Sequence, residues 1–135
     1  MKILISGSTG FLGTNLLKIL NANGHDVIGF GSKDVDLRFS NRLDIYNHIN
    51  FDRIIHLAAW TQAGDFCISH PGEQWLINQQ INTNVLDWCV KFQPKIKIIS
   101  IGSSCSYKVS SSAHKEINYL KGFPEKGVSF LWSRS

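Results

Sequence analysis

A glycine-rich turn between an apolar run and a helical pattern restricts most strongly what this 135-residue chain can fold into. Residues Lys2 to Ser6 form a short apolar run that ends at glycine, as is typical of a fully buried strand. Apolar residues at helical spacing follow a few positions later. Between the two patterns lies the segment that we call the glycine loop, Gly7-Ser8-Thr9-Gly10-Phe11-Leu12-Gly13.

A glycine pattern between a strand and a helix predicts a dinucleotide site, because each glycine has a distinct physical task there. Gly7 permits the tight turn that leaves the strand, and Gly10 lets a pyrophosphate approach the backbone. Gly13 allows the helix to pack closely on the strand. The phosphates would meet the unpaired N–H groups and the positive dipole end of the helix. A strand-to-helix turn without a ligand is the structural alternative.

The remainder of the chain alternates between strand and helix patterns. Strands are predicted at 25–30, 53–59 and 95–101, and helices at about 40–50, capped by Ser40 or Asn41, and at 72–92. This alternation predicts an α/β fold, a Rossmann-like doubly wound parallel sheet of about four strands with helices on both faces. Right-handed crossovers favour the strand order 3-2-1-4. We expect a single dinucleotide-binding domain over residues 1–135, of which 102–135 are irregular.

Composition removes several other classes of function. The net charge of +4 comes from scattered lysines and arginines without a basic stripe, so a nucleic-acid partner is not expected. No run approaches the roughly 20 apolar residues that span a bilayer, and the amino terminus is unlike a signal peptide. Three cysteines without paired spacing fit a reducing, cytoplasmic setting. The dispersed histidines and cysteines predict no metal site.

The residues after the second predicted strand bear on which dinucleotide is bound. NAD sites usually carry an acidic residue there, which holds the ribose hydroxyls. This chain has Ser32 and Lys33, whose hydroxyl and ammonium groups suit a 2′-phosphate better. Asp34 and Asp36 follow closely, so the sequence favours NADP and leaves NAD open.

Five segments form an ordered set of motifs: the GxxGxxG spacing of the glycine loop, Asp36-Leu37, Arg53-Ile54-Ile55-His56-Leu57-Ala58-Ala59, Ile81-Asn82-Thr83-Asn84 and Gly102-Ser103-Ser104-Cys105-Ser106-Tyr107. Together they resemble the extended short-chain dehydrogenase/reductases, also called NAD-dependent epimerase/dehydratases. The Ser-Ser-Cys form at 103–105, with Tyr119-Leu120-Lys121-Gly122, is similar to that family's GDP-fucose synthase-like, sugar-nucleotide branch.

The resemblance implies a reaction at a sugar carbon of a nucleotide-sugar, with hydride exchanged with the nicotinamide. It places Ser103 on the substrate oxygen and Cys105 where epimerising members keep an acid/base cysteine. It also places further residues beside the cofactor, namely Asp36, Leu37, Leu57, Ala58, Ala59 and Asn82.

The chain departs from this family at its proton-transfer pair, a tyrosine with a lysine four positions later. Phe130 and Arg134 stand where that pair is expected, and phenylalanine has no proton to give. Family members continue into a substrate domain, which we expect to be absent here. The fourth strand would then be an open edge, which favours a homo-oligomer or a completing partner chain. Three functions therefore remain open for the chain. It could be a dinucleotide binder with little or no activity, a contributor to a sugar-nucleotide epimerase or reductase reaction, or a non-catalytic scaffold.

Overall fold

The structure is a computed structural model, and it describes residues 1–62, 66–103, 107, 108, 110, 112–119 and 121. The strands and helices follow one another in the order β1 (Lys2–Ser6), α1 (Phe11–Ala22), β2 (Asp26–Phe30), β3 (Arg53–His56), α2 (Phe66–Ser69), α3 (Pro71–Phe92) and β4 (Lys97–Ser100). One-turn 3-10 helices at Arg42–Tyr46 and Glu116–Asn118 complete the regular structure of the described residues.

The four strands form one parallel sheet in the order β2-β1-β3-β4. Leu4 lies opposite Ile28 on one side and Ile54 on the other, and Ile54 in turn lies opposite Ile98. Parallel pairing with helical connections is the arrangement that the alternating pattern predicted. The Rossmann-like α/β fold class is therefore confirmed.

The strand order differs from the predicted 3-2-1-4, because β3 pairs with β1 and does not extend the sheet beyond β2. Ile54 and Ile55 of β3 are almost completely buried, at 0% and 8% exposure, whereas every residue of β4 is exposed. A buried apolar strand needs hydrogen-bonding neighbours on both sides, so β3 takes the interior position and β4 the edge. The order 2-1-3-4 still has a switch point, which lies between β1 and β3.

Alternating side chains of β1 divide the core into two layers. Ile3 and Ile5 pack with Ile55 on the face that receives α1, where Leu16, Leu17 and Leu20 meet them. Leu4 points to the opposite face and is completely buried. The carboxyl half of α3 supplies further buried side chains, and the Trp88 ring lies 6.4 Å from the ring of Phe51, just before β3.

The connection between β2 and β3 is not the helix predicted at 40–50. Asn41 has a left-handed φ of 63°, and only one 3-10 turn follows it, without a side-chain cap. The side chain of Gln93, which is 6% exposed, holds the end of this connection between β2 and β3 through two hydrogen bonds. The Gln93 Nε2 group donates to the carbonyl oxygen of Ile49 at 2.7 Å, and Gln93 Oε1 accepts from the N–H of Phe51 at 3.3 Å.

The chain divides into two compact units, Met1–Ala59 with Gln80–Ile101, and Trp60–Gln79 with Gly102–Ser135. The first unit contains the sheet. In the second, the Asn78 side chain bonds both backbone groups of Trp60 at 2.9 Å. That the 135 residues act as one dinucleotide-binding domain stays a prediction. Among the described residues, no helix is long and apolar enough to cross a membrane.

Candidate functional site

The glycine loop lies at the carboxyl ends of β1 and β3, and two of its glycines are there because no side chain fits. Gly7 has φ +71°, and a Cβ atom on it would lie 2.8 Å from the backbone nitrogen of Ala58. A Cβ on Gly13 would lie 2.2 Å from the Gly7 carbonyl oxygen and 2.6 Å from the Cα of Ser8. The loop is therefore pressed against the turn after β3 and against the first turn of α1.

Gly10 is different, because the protein itself leaves room for a side chain there. A Cβ on Gly10 would have a single neighbour within 4 Å, the Gly7 carbonyl oxygen at 3.3 Å. Gly10 has an allowed extended conformation and precedes α1, which has no side-chain cap and no acidic residue in its first turn. The first N–H groups of a helix lack intrahelical partners and carry partial positive charge. The open space at Gly10 therefore adjoins uncapped donors.

Both neighbouring strands hold the glycine loop in place. The N–H of Ser8 donates to the carbonyl of Phe30 at the end of β2, at 3.0 Å. Thr9 lies so close to Gly31 that a Cβ there would be 2.5 Å from the Thr9 hydroxyl oxygen. On the other side, the N–H of Leu57 donates to the carbonyl of Ser6 at 3.2 Å.

The acidic residues after β2 are both engaged. Asp34 Oδ2 accepts from the N–H of Gly31 at 3.0 Å. Arg38 donates a hydrogen bond to Asp36, with Nη2 2.6 Å from Asp36 Oδ2. This hydrogen bond lowers the pKa of the Asp36 carboxyl below its usual value. Ser32 and Lys33 are exposed. The end of β2 thus presents a hydroxyl and an ammonium group, while its carboxylates bond to the protein itself.

Helix α3 joins the site through two asparagines. Asn84 Nδ2 donates to the carbonyl of Leu37 at 2.8 Å, which fixes the segment after Asp36. Asn82 Oδ1 lies 3.0 Å from His56 Nε2. His56 Nδ1 lies 2.6 Å from the hydroxyl oxygen of Ser6. Burial lowers the pKa of His56, against the opposing effect of its hydrogen bond to Asn82.

The structure thus gathers most of the predicted cofactor residues in the first unit. Gly7, Thr9, Gly10 and Gly13 belong to the glycine loop, and Leu57 and Ala58 adjoin it. Phe11 and Leu12 are exposed, with 91% and 48% of their surface accessible. Ala59 follows Ala58 at the surface. Sequence reasoning did not identify the roles of Ser6 and Asn84, whose partners lie in other elements, or of Asp34, whose partner lies in its own turn. The Asn82-Thr83-Asn84 segment was the available signal for Asn84.

The predicted catalytic residues have a different status. Ser103 is half-buried, lies shortly after β4 and belongs to the second unit. Cys105, Phe130 and Arg134 lie outside the described residues. Within the described ranges, no group of three or more histidine, cysteine or acidic side chains is arranged to hold a metal ion.

Comparison with known proteins gives consistent matches. The family model of the NAD dependent epimerase/dehydratase family matches residues 3–122. GDP-L-colitose synthase from Yersinia pseudotuberculosis is 31% identical over 108 residues, which are 79% of this chain and 35% of that protein. The probable GDP-L-fucose synthase 1 of Oryza sativa subsp. japonica is 29% identical over 78% of this chain and 33% of its own length.

Solved structures agree with these sequence matches. A GDP-L-fucose synthetase from Naegleria fowleri bound to NADP has a TM-score of 0.80 at 25% identity, covering 98% of this chain and 44% of that one. A GDP-mannoheptose C4 reductase from Campylobacter jejuni with NADP bound has a TM-score of 0.83 at 19% identity, a likeness of fold. The chain spans about a third of the length of the curated relatives. Because the family model covers nearly all of its residues, this chain belongs to the NAD-dependent epimerase/dehydratase family.

Proposed function

We propose that the chain binds NADP(H), with the pyrophosphate lying on the glycine loop. The observation that carries this proposal is the open space at Gly10, which adjoins the uncapped amino end of α1. A phosphate there would accept hydrogen bonds from backbone N–H groups and meet the positive end of the helix dipole. The neighbouring glycines are tightly packed, so the loop is preorganised for an anion and does not need to rearrange.

The remaining contacts follow from the position of the glycine loop in the sheet. In open α/β sheets, ligands bind outside the carboxyl ends of the strands at the switch point, here between β1 and β3. We propose that Leu37 flanks the adenine and that Leu57, Ala58 and Ala59 pass beside the cofactor, with Asn82 behind them. These assignments rest on the family resemblance together with the positions of the segments.

We propose NADP(H) over NAD(H) because of the residues that follow β2. A carboxylate free to bond the ribose hydroxyls favours NAD, but Asp34 bonds Gly31 and Asp36 bonds Arg38. Lys33 is exposed and can pair with a 2′-phosphate. The relative from Naegleria fowleri that was solved with NADP bound favours the same choice.

For the substrate, we propose a nucleotide-sugar, since the curated relatives are synthases of GDP-linked sugars. NADPH would supply the hydride for such a reaction. The three tyrosines of the chain, Tyr46, Tyr107 and Tyr119, are followed four positions later by Asn50, Ser111 and Phe123, so none has a lysine at that spacing. We therefore propose that these 135 residues alone bind the dinucleotide with little or no turnover.

The test is a thermal-shift titration of the 135-residue chain with NADP⁺ and with NAD⁺. A ligand that binds only the native state stabilises it by mass action, so the melting temperature should rise by about 5 to 10 °C at a hundredfold excess over Kd. We expect NADP⁺ to bind about tenfold more tightly than NAD⁺, the size of one charge-assisted contact. Lys33→Ala should bring the two Kd values close together.

Lys95→Ala is the matched control, because Lys95 is an exposed lysine that precedes β4 at the opposite, amino edge of the sheet. It should leave the preference for NADP⁺ unchanged. No thermal shift with either dinucleotide, from a chain that melts cooperatively, would refute cofactor binding. Oxidation of NADPH with a GDP-linked keto sugar at a rate typical of enzymes would refute the lack of turnover.

A second candidate function, a contribution to catalysis within an assembly, is favoured by the exposed strand β4. It is an edge strand whose residues are all exposed, and Ile98, Ile99 and Ile101 have 37%, 40% and 62% of their surface accessible. An apolar edge of this kind is a template for pairing with another polypeptide. We propose that a second copy covers β4 in a homo-oligomer, with a completing partner chain as the alternative.

Light scattering over a range of protein concentrations tests this assembly. We expect a mass above the 15.2 kDa of one chain, and Ile99→Lys should return it to that value by placing a charge on the edge. Ile19→Lys, at a 58% exposed position on α1, should leave the assembly intact. A single-chain mass at every concentration would contradict the homo-oligomer and favour a completing chain.

A further inference from the structure

A continuous chain of hydrogen bonds runs behind the glycine loop from β1 through β3 to α3. The hydroxyl oxygen of Ser6 lies 2.6 Å from His56 Nδ1, and His56 Nε2 lies 3.0 Å from Asn82 Oδ1. The same Ser6 oxygen accepts from the N–H groups of Leu57 and Ala58, each at 3.2 Å. Ser6 is completely buried, whereas His56 and Asn82 are half-buried.

The contacts favour one protonation state of His56. A serine oxygen accepts two hydrogen bonds through its lone pairs and donates one through its hydrogen. The N–H of Ala58 donates to the Ser6 oxygen, and the N–H of Leu57 is shared between that oxygen and the Ser6 carbonyl, so the arrangement that satisfies both directs the Ser6 hydrogen to His56 Nδ1. Nδ1 is therefore an acceptor, and the ring proton is on Nε2, which donates to Asn82. This arrangement corresponds to a neutral His56 in its Nε2–H form.

The backbone that this arrangement holds is the one against which the glycine loop packs. A Cβ on Gly7 would lie 2.8 Å from the nitrogen of Ala58 and 3.0 Å from the carbonyl carbon of Leu57. A small displacement of the 57–58 turn must therefore move the glycine loop as well. The two segments together form the surface beside which we propose that the dinucleotide lies.

We infer that His56 is a positioning residue, which in its neutral form holds the 57–58 turn against the glycine loop and on protonation releases it, weakening dinucleotide binding. This inference rests on the proposed function. A protonated ring would bring a hydrogen on Nδ1 to a Ser6 oxygen whose lone pairs are already in use. Because the N–H of Leu57 also donates to the backbone carbonyl of Ser6 at 3.2 Å, it is the N–H of Ala58 that would lose its partner, at the cost of an unsatisfied, partly buried donor.

The surroundings of His56 favour the neutral form at neutral pH. Ser6 faces it from β1, Asn82 from α3, and Ser100 is its register partner on β4, and none of these three side chains titrates in this range. Burial disfavours the charged ring and lowers the pKa of His56 below 6.5. The contribution of His56 to binding should therefore be complete above pH 6.5 and decline as the pH falls through its lowered pKa.

The experiment measures the Kd for NADP⁺ between pH 8 and pH 5 in the wild type, His56→Asn and His56→Ala. Asparagine can keep an oxygen acceptor near the position of Nδ1 but does not titrate. Its Kd should therefore show only the protonation of the 2′-phosphate, which is common to all variants. We expect the wild type to lose about threefold more affinity than His56→Asn at pH 5.5. His56→Ala should bind more weakly at every pH.

Nitrogen NMR of the unliganded wild type gives a readout that does not depend on cofactor binding. It should show a protonated Nε2 and an unprotonated Nδ1 for His56 at pH 7.5, and the amide signals of Leu57 and Ala58 should move as the ring titrates. Parallel pH profiles for wild type and His56→Asn, or the opposite tautomer, would overturn the inference. If NADP⁺ does not bind at all, the proposed function fails, and the NMR titration alone decides the role of His56.

Discussion

Replacing Gly10 by alanine is expected to weaken NADP(H) binding by about 100-fold while the unliganded chain stays folded. The new methyl group would occupy the space beside the uncapped end of α1, where we propose that the pyrophosphate lies. Steric overlap of about 1 to 3 kcal/mol, together with a lost charge-assisted hydrogen bond of about 1.5 kcal/mol or more, amounts to two powers of ten in Kd or more.

The fold should tolerate this change because the methyl group would contact a single protein atom, the Gly7 carbonyl oxygen at 3.3 Å. Alanine is a poorer residue than glycine before a helix, which costs about 1 kcal/mol or less. The melting temperature should fall by less than about 4 °C. Isothermal titration calorimetry with NADP⁺ measures the affinity, and circular dichroism measures the melting temperature.

Gly72→Ala is the control for a glycine near a helix start without a proposed ligand. It lies in the first turn of α3, and a Cβ there would meet nothing within 4 Å. Its affinity for NADP⁺ should equal that of the wild type. If Gly10→Ala bound NADP⁺ as tightly as Gly72→Ala does, the pyrophosphate would not lie on the glycine loop.

Replacing Gly13 by alanine is expected to destabilise the fold itself, lowering the free energy of unfolding by about 3 kcal/mol or more. The added Cβ would lie 2.2 Å from the Gly7 oxygen, 2.6 Å from the Ser8 Cα and 2.9 Å from the Gly7 carbonyl carbon. All three are backbone atoms, which cannot turn away as a flexible side chain would. Helix α1 must therefore move off β1 and expose part of the Ile3–Ile5–Ile55 cluster.

Whether Gly13→Ala lowers or raises the free energy of unfolding shows which of two effects dominates, close packing or helix propensity. In the interior of a helix, glycine is about 1 kcal/mol less favourable than alanine, so propensity alone predicts that Gly13→Ala is stabilising. Urea denaturation followed by circular dichroism measures the difference. Lys18→Ala, at an exposed position of the same helix, should change stability by less than about 0.5 kcal/mol. A Gly13→Ala variant as stable as the wild type would mean that α1 does not pack closely on β1.

The sequence allowed the glycine loop to be predicted because its requirements are local. A buried strand, three glycines and a helix follow one another within about twenty residues, and each has a sequence signal of its own. The fold class was predictable for the same reason, since alternating periodicities report on each element separately. Both depend on neighbours in the chain, where sequence patterns carry most information.

The strand order and the network behind the glycine loop could not be predicted in this way. The order depends on which of β3 and β4 takes an interior position in the sheet. Ile54 and Ile98 are both isoleucines, yet Ile54 is completely buried and 37% of Ile98 is exposed. The Ser6–His56 contact joins residues 50 positions apart. Asp34 looked available for a ribose, and only its hydrogen bond to Gly31 shows that it is engaged within its own turn.

The side-chain amide of Gln93 makes two hydrogen bonds of the kind that a residue in a neighbouring strand usually makes. A residue in a parallel ladder donates its N–H to one residue of the neighbouring chain and accepts from the residue two positions later. The Gln93 amide does the same to Ile49 and Phe51, so it imitates a strand residue opposite Asn50. The carbonyl of Ile49 and the N–H of Phe51, which precede β3, therefore have hydrogen-bond partners without an additional strand residue beside them.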